Sequence, residues 1–210
     1  MSQINVNRVI SPTQAASEGP PIDIASNGNI SLDTDTVFVD STNNRLGIGT
    51  ASPTRTLDIQ ESGGVSFDAG VIFESCQVTG TGLTGTVNHS VETENARYYN
   101  AAASGNWTYN VRYSSTVTLD SQMSTGETIN ISYVTGVGGS SYYQTGFQID
   151  GSTSNYSIQW VDNLPPVQAG GREGGEDAAT SGFDVYNFAI NKNGSNSFIV
   201  LGSHTHFGSF

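Results

Sequence analysis

Two histidines, His204 and His206, stand two residues apart in the C-terminal stretch "SHTHF". Residues at i and i+2 of a strand share a face. Three copies of such a strand around an axis would gather six imidazoles, enough for an octahedral transition metal. The competing reading leaves the pair facing solvent or closing a sheet edge. Tyr142, Tyr143, Tyr156 and Trp160 offer flat apolar faces with polar tips, the surface against which a sugar ring can stack. Alternation along "NYSIQW" turns Trp160 inward with Ile158, so a place in the core competes with that role. Asp162, Glu173, Glu176 and Asp177 lie close in sequence, and a glycosidase needs two carboxylates at a set separation. Here they sit in glycine-rich company, where acids are solvated. "LGIGTAS" has Ser52 where a dinucleotide fingerprint needs its third glycine, and Pro53 leaves no helix to receive a phosphate. "GGREGGE" lacks the Gly-Lys-Ser/Thr ending of a phosphate loop, and Ser203 meets His204 only by adjacency. No catalytic residue is assigned, the chain reads as a non-enzyme, and no cofactor is expected beyond a metal ion on a shared axis. His89 stands alone and reads as a surface residue.

Composition constrains the elements that must position these groups. The chain has 210 residues and a net charge of −12, only 12% of its residues are charged, and 10% are aromatic. Polar uncharged residues therefore carry solubility, as in β proteins whose strands alternate Thr, Ser or Asn with apolar residues. Seven cations, from Arg8 to the only lysine, Lys192, form no basic stripe, which argues against nucleic acid and against an anionic membrane surface. No apolar run approaches the ~20 residues of a spanning helix, and "MSQINVNRVI" lacks the marks of a secretory signal. Cys76 is the single cysteine, so no intrachain disulfide forms, and it reads as a small buried residue.

Along the chain, residues 1–35 read as an extended arm punctuated by Pro12, Pro20, Pro21 and the Asn27-Gly28 turn signal, with "INVNRVI" and "IDI" each able to add one strand to a neighbour. Residues 36–60 read as short strands, "VFVD", "RLGI" and "LDI", with Val37, Val39, Leu46, Ile48, Leu57 and Ile59 as an apolar set. A hairpin this small is marginal alone, and identical neighbours around an axis would bury it. Residues 61–95 read as a Gly/Thr-rich β connector. Residues 96–210 carry six to eight alternating strands, with turns at Asp150-Gly151 and near Asn193-Gly194 and a short helical turn in "LDSQMSTGE". That count matches an antiparallel β-sandwich or jelly roll.

"VFVDSTNNRLGIGTASPTRTLDIQ" closely resembles a segment of phage tail fibres, tailspikes and related trimeric virion proteins. Asn44, Arg45, Gly47, Ile48, Gly49, Thr50, Pro53 and Leu57 fall on its recurring positions. "GNWTYNVR", "YYQTGFQIDGS", "IQWVDNLPPVQAGG" and "SGFDVYNFAINKNGSNSFIVLGSHTHF" look like the C-terminal module of structural proteins from marine phages, especially cyanophages; the likeness weakens across "REGGEDAAT". The resemblance implies a mainly β, homotrimeric virion component, assembled in the host cytoplasm. It would be anchored to other virion proteins by the N-terminal arm and would expose its C-terminal domain to the host. The six apolar residues above would line the trimer interface. A capsid decoration or head-fibre protein, and a glycan-binding or glycan-cleaving tailspike tip, are the alternatives.

Overall fold

The computed structural model describes residues 8–9, 22–32, 36–60, 65, 73–172 and 179–208. The chain is mainly β, arranged in several sheets, and divides into two compact units, residues 1–70 and 71–210.

The first unit is one six-stranded sheet whose spatial order follows the sequence: β1 (Arg8–Val9), β2 (Ile22–Ile24), β3 (Ile30–Leu32), β4 (Val37–Asp40), β5 (Arg45–Ile48) and β6 (Leu57–Ile59). The strands of the expected arm thus pair with the chain's own β4: β3 lies antiparallel to it, and β2 lies antiparallel to β3. Most neighbours are antiparallel; β5 and β6 run parallel.

The segment from Asn44 to Asp58 is locked by its own polar groups. Asn44 adopts φ 55° in the turn after β4. Asp40 accepts from the N–H groups of Thr42 and Asn43 and from the Asn43 side chain, which closes that turn. Gly47 is required by close approach, since a Cβ there would lie 2.3 Å from the Thr50 carbonyl oxygen. Arg45 Nη1 donates to the Pro53 carbonyl at 2.8 Å, and Asp58 accepts from the Thr54 N–H at 2.7 Å and from its hydroxyl at 2.8 Å. Most recurring residues of the motif therefore have local work. Leu57 does not: its side chain is 54% exposed.

The second unit has a six-stranded sheet, a three-stranded sheet and a small two-stranded one. The first holds β7 (Cys76–Thr79), β9 (Ala96–Ala102), β11 (Thr128–Gly136), β13 (Tyr156–Trp160), β16 (Phe183–Gly194) and β17 (Ser197–Phe207), in the order β13-β17-β16-β11-β9-β7. The second has β10 (Trp107–Arg112) between β12 (Gln144–Ile149) and β8 (Gly85–Ser90); β14 (Pro166–Gln168) pairs with β15 (Gly171–Arg172). Trp107, Tyr109, Val111, Phe147 and Ile149 of the three-stranded sheet join Tyr133, Tyr186, Phe188, Ile190 and Val200 of the larger one in a single buried core. Tyr133 lies at its centre, stacked on Tyr109 and Tyr186 at centroid distances of 4.1 and 4.7 Å.

Three sequence expectations need correction. The sheets are not antiparallel throughout: β8, β10 and β12 run parallel, as do β7–β9, β9–β11 and β13–β17, and in the large sheet only β11–β16–β17 is antiparallel. Turn signals report neighbours in sequence, whereas parallel pairs join strands separated by crossovers. His89 is fully buried, because β8 alternates and turns it inward. Cys76 is exposed, on an edge strand. The turn at Asp150-Gly151 forms, with φ 54° and 78°, and "LDSQ" is helix α1 (Leu119–Gln122). Lys192 is buried and clamps that helix, donating to the Met123 carbonyl at 2.8 Å and pairing with Asp120 at 2.9 Å.

Candidate functional site

The first candidate is a face of the N-terminal sheet. Side chains directly opposite one another on paired strands point to the same side. The registers therefore build one row of Ile24, Ile30, Val39, Leu46 and Leu57, and beside it a row of Leu32, Val37, Ile48 and Ile59. The opposite face carries Ser31, Phe38, Gly47 and Asp58. Between Ile24 and Gln60, among the described residues, no Val, Leu, Ile or Phe side chain is buried, and Ile24, Leu32, Val39 and Leu57 are 39, 37, 38 and 54% exposed. Val37, Val39, Leu46, Ile48, Leu57 and Ile59 all lie on this apolar face.

The second candidate is a cleft of about 350 Å³ in the C-terminal unit, lined by Tyr143, Phe147, Tyr156, Trp160, Pro165 and Pro166. Three of the four aromatics singled out above meet here, and Tyr142 is outside the lining; Tyr156 and Trp160, like Tyr142, also pack against the core. The Tyr156 hydroxyl donates to the Phe147 carbonyl at 2.6 Å, which fixes its ring, and Trp160 packs edge-on against Phe188. A Cβ at Gly202 would come within 3.0 Å of the Trp160 ring, so this glycine lets the indole lie against β17. No sequence signal marks Pro165 and Pro166 as a cleft wall, since a proline pair after a strand reads only as its stop. Asp162 falls outside the cleft lining; Glu173, Glu176 and Asp177 lie outside the described residues.

The third is the histidine pair. His204 and His206 do share a face of β17, and it is the face turned toward Asp184 of β16. His206 Nδ1 lies 2.8 Å from Asp184 Oδ1, and the Gly170 N–H donates to the same carboxylate at 3.0 and 3.2 Å. His204 Nε2 is 3.2 Å from Oδ2 without the alignment of a hydrogen bond, and its ring stacks on Tyr186. Burial alone would raise the Asp184 pKa, but the His204 ring, the Gly170 N–H and His206 outweigh it and hold the carboxyl below its ordinary value. The His204 side chain is 2% exposed, so an ion on an external axis would meet only His206 without rearrangement. Among the described residues no group of three or more His, Cys, Asp or Glu is arranged to hold a metal ion. The cluster reads as a buried carboxylate–imidazole latch between β16, β17 and the turn at Gly170. Asp184→Asn removes the charged acceptor of the Gly170 N–H and the His206 ring and is expected to cost about 2 kcal/mol of stability in urea unfolding at neutral pH. A loss under about 0.5 kcal/mol would show the latch to be dispensable.

His89 occupies a comparable interior position in the core. Its Nδ1 lies 2.7 Å from the Tyr109 hydroxyl and its Nε2 2.9 Å from the Glu94 carbonyl. Burial lowers its pKa from 6.5. The unfolded chain therefore binds this proton more readily than the folded one, and the stability present above pH 6.5 is lost as pH falls toward the lower folded value. Thermal melts should be flat from pH 8 to 7 and decline below 6.5, and His89→Gln should flatten that decline. An equal decline in the variant would assign it to other groups.

Among the described residues, no helix is long and apolar enough to cross a membrane. Compared with known protein families, with curated proteins and with solved structures, the chain matches none of them.

Proposed function

We propose that this chain is a non-enzymatic structural component of a phage virion, a homotrimeric fibre-like appendage anchored through its N-terminal part. The observation that carries this reading is the apolar face of the N-terminal sheet. Water-exposed aliphatic rows of this extent are costly at about 25 cal/mol per Å² of apolar surface, and the described part of this unit contains no second layer to cover them. A threefold arrangement supplies the cover from identical copies, each sheet presenting its rows to the axis. The resemblance of the Asn44–Leu57 segment to trimeric phage fibre proteins gives that assembly its setting. A sandwich form of the C-terminal unit rests on its shared aromatic core; the jelly-roll variant, antiparallel throughout, fits β11, β16 and β17 only. Sedimentation of the full chain at micromolar concentration tests the reading. A species of three chain masses is expected, and a stable single chain overturns it.

The aromatic cleft favours a second role for the exposed unit, contact with a host-surface glycan. Tyr143, Tyr156 and Trp160 together offer ring faces and edges of the kind sugars meet. On a glycan array the full chain should retain a subset of oligosaccharides, and Trp160→Ala should weaken that retention at least about tenfold, the loss of one stacking contact of roughly 1.4 kcal/mol. Retention unchanged by Trp160→Ala would move glycan contact elsewhere. Release of free sugar from a retained glycan would overturn the non-enzymatic reading.

A further inference from the structure

On the outer face of the six-stranded sheet, no charged side chain stands in the strand rows. Its central row runs Cys76, Ala96, Ser132, Asn187 and Ser203 across five strands. One neighbouring row is Val78, Tyr98, Val134, Val185 and Thr205, and the other is Asn130, Ala189, Leu201 and Gln159. The outermost rows hold Thr128, Asn191, Ile199 and Ser157 at one end and Gly136, Phe183 and Phe207 at the other. The chain has 19 acidic and 7 basic side chains, yet none stands in these rows. The titratable residues of β16 and β17, namely Asp184, Tyr186, Lys192, His204 and His206, all alternate to the inner face. Glu74, just before β7, is a carboxylate on this side, the one among the described residues that lines a shallow hollow of about 450 Å³ together with Ser132, Asn187, Leu201 and Ser203. Val78, Phe183, Leu201 and Phe207 are 62, 41, 52 and 57% exposed.

Charged residues make up 12% of the chain, and these rows hold none of them. Copies with a net charge of −12 repel one another, least where no carboxylate stands. The core of an interface is also where charged residues are depleted. We propose that this face is a second self-association surface, on which sibling copies dock through the same charge-free rows. Six strands about 4.8 Å apart, with some eight residues each, span roughly 600 Å² per copy. That is somewhat below the roughly 800 Å² per partner of a standard interface, so the contact is weak alone. It closes where a tether elsewhere in the chain raises the effective concentration to about millimolar.

The test uses the full chain carrying Leu46→Asp, with Leu57→Asp as a second background, followed by sedimentation from roughly 1 µM to 1 mM. Single chains are expected at the low end and multimers toward the high end. Adding Leu201→Glu or Asn187→Lys should each move the midpoint at least tenfold upward. The lysine lowers the net negative charge, so its effect cannot come from general repulsion. Single chains in both backgrounds at 1 mM would overturn this proposal and leave the N-terminal one standing. Multimers indifferent to both added charges would also overturn it, by locating the contact elsewhere. Single chains of the unmodified protein at micromolar concentration would instead overturn the trimeric reading of the N-terminal sheet.

Discussion

Leu46→Asp is expected to convert a three-chain species into single chains of 22.1 kDa at micromolar concentration. Leu46 sits in the middle of an aliphatic row, between Val39 and Leu57. In a threefold assembly its carboxylate would be repeated three times beside the axis, away from water and from any cation. Burial of an unpaired charge costs on the order of several kcal/mol per group, before the mutual repulsion of the three. The single chain carries no such penalty, because the side chain there is only partly covered. The substitution therefore separates assembly from local folding. Circular dichroism should still report the sheets, and sedimentation should report loss of the trimer. A variant that remains trimeric would show that the aliphatic rows are not the interface.

The second large effect is internal to the C-terminal unit. Tyr133 is fully buried, and its hydroxyl accepts from Trp107 Nε1 at 3.0 Å and donates to Gln144 Oε1 at 2.6 Å. Burial raises the pKa of this hydroxyl well above the usual value, which keeps it protonated and able to donate. Tyr133→Ala removes the ring between Tyr109 and Tyr186 and should destabilise the unit by about 4 kcal/mol, within the range for large aromatic truncations. Tyr133→Phe keeps the stack but leaves the indole N–H and the amide oxygen unpaired in a dry core, and should cost about 2 kcal/mol. Urea unfolding followed by tryptophan fluorescence reads both. A Phe variant as stable as the parent would mean that water replaces the hydroxyl, and the two bonds would then have no structural importance.

Several features are legible in the residues alone. Alternation in "VFVD", "RLGI" and "LDI" marks residues that share a face, and all six named apolar positions do so. The glycines and asparagine of "NNRLGIGT" mark a chain reversal, because only such residues tolerate φ near 55–71° or the approach of the Thr50 carbonyl. The histidine pair illustrates where reading stops. A turn centred on Asn193-Gly194 would set Ser203 opposite Asp184, whereas the observed turn at Ser195-Asn196 sets His206 there. Three residues of register separate a β17 that sets Ser203 opposite Asp184 from one that brings both histidines to its carboxylate.

The amino-acid sequence by itself determined the β character, the apolar face of the N-terminal sheet, the short helix and the Asp150-Gly151 turn, and it misplaced the last hairpin turn by two residues. These depend on side-chain alternation and on backbone preferences within a few residues. Only the tertiary structure decided which distant strands run parallel, that Asp184 receives both histidines, that His89 is interior, and that Pro165 and Pro166 close a cleft with Trp160. Such pairings depend on register between strands tens of residues apart, and no local preference encodes that register.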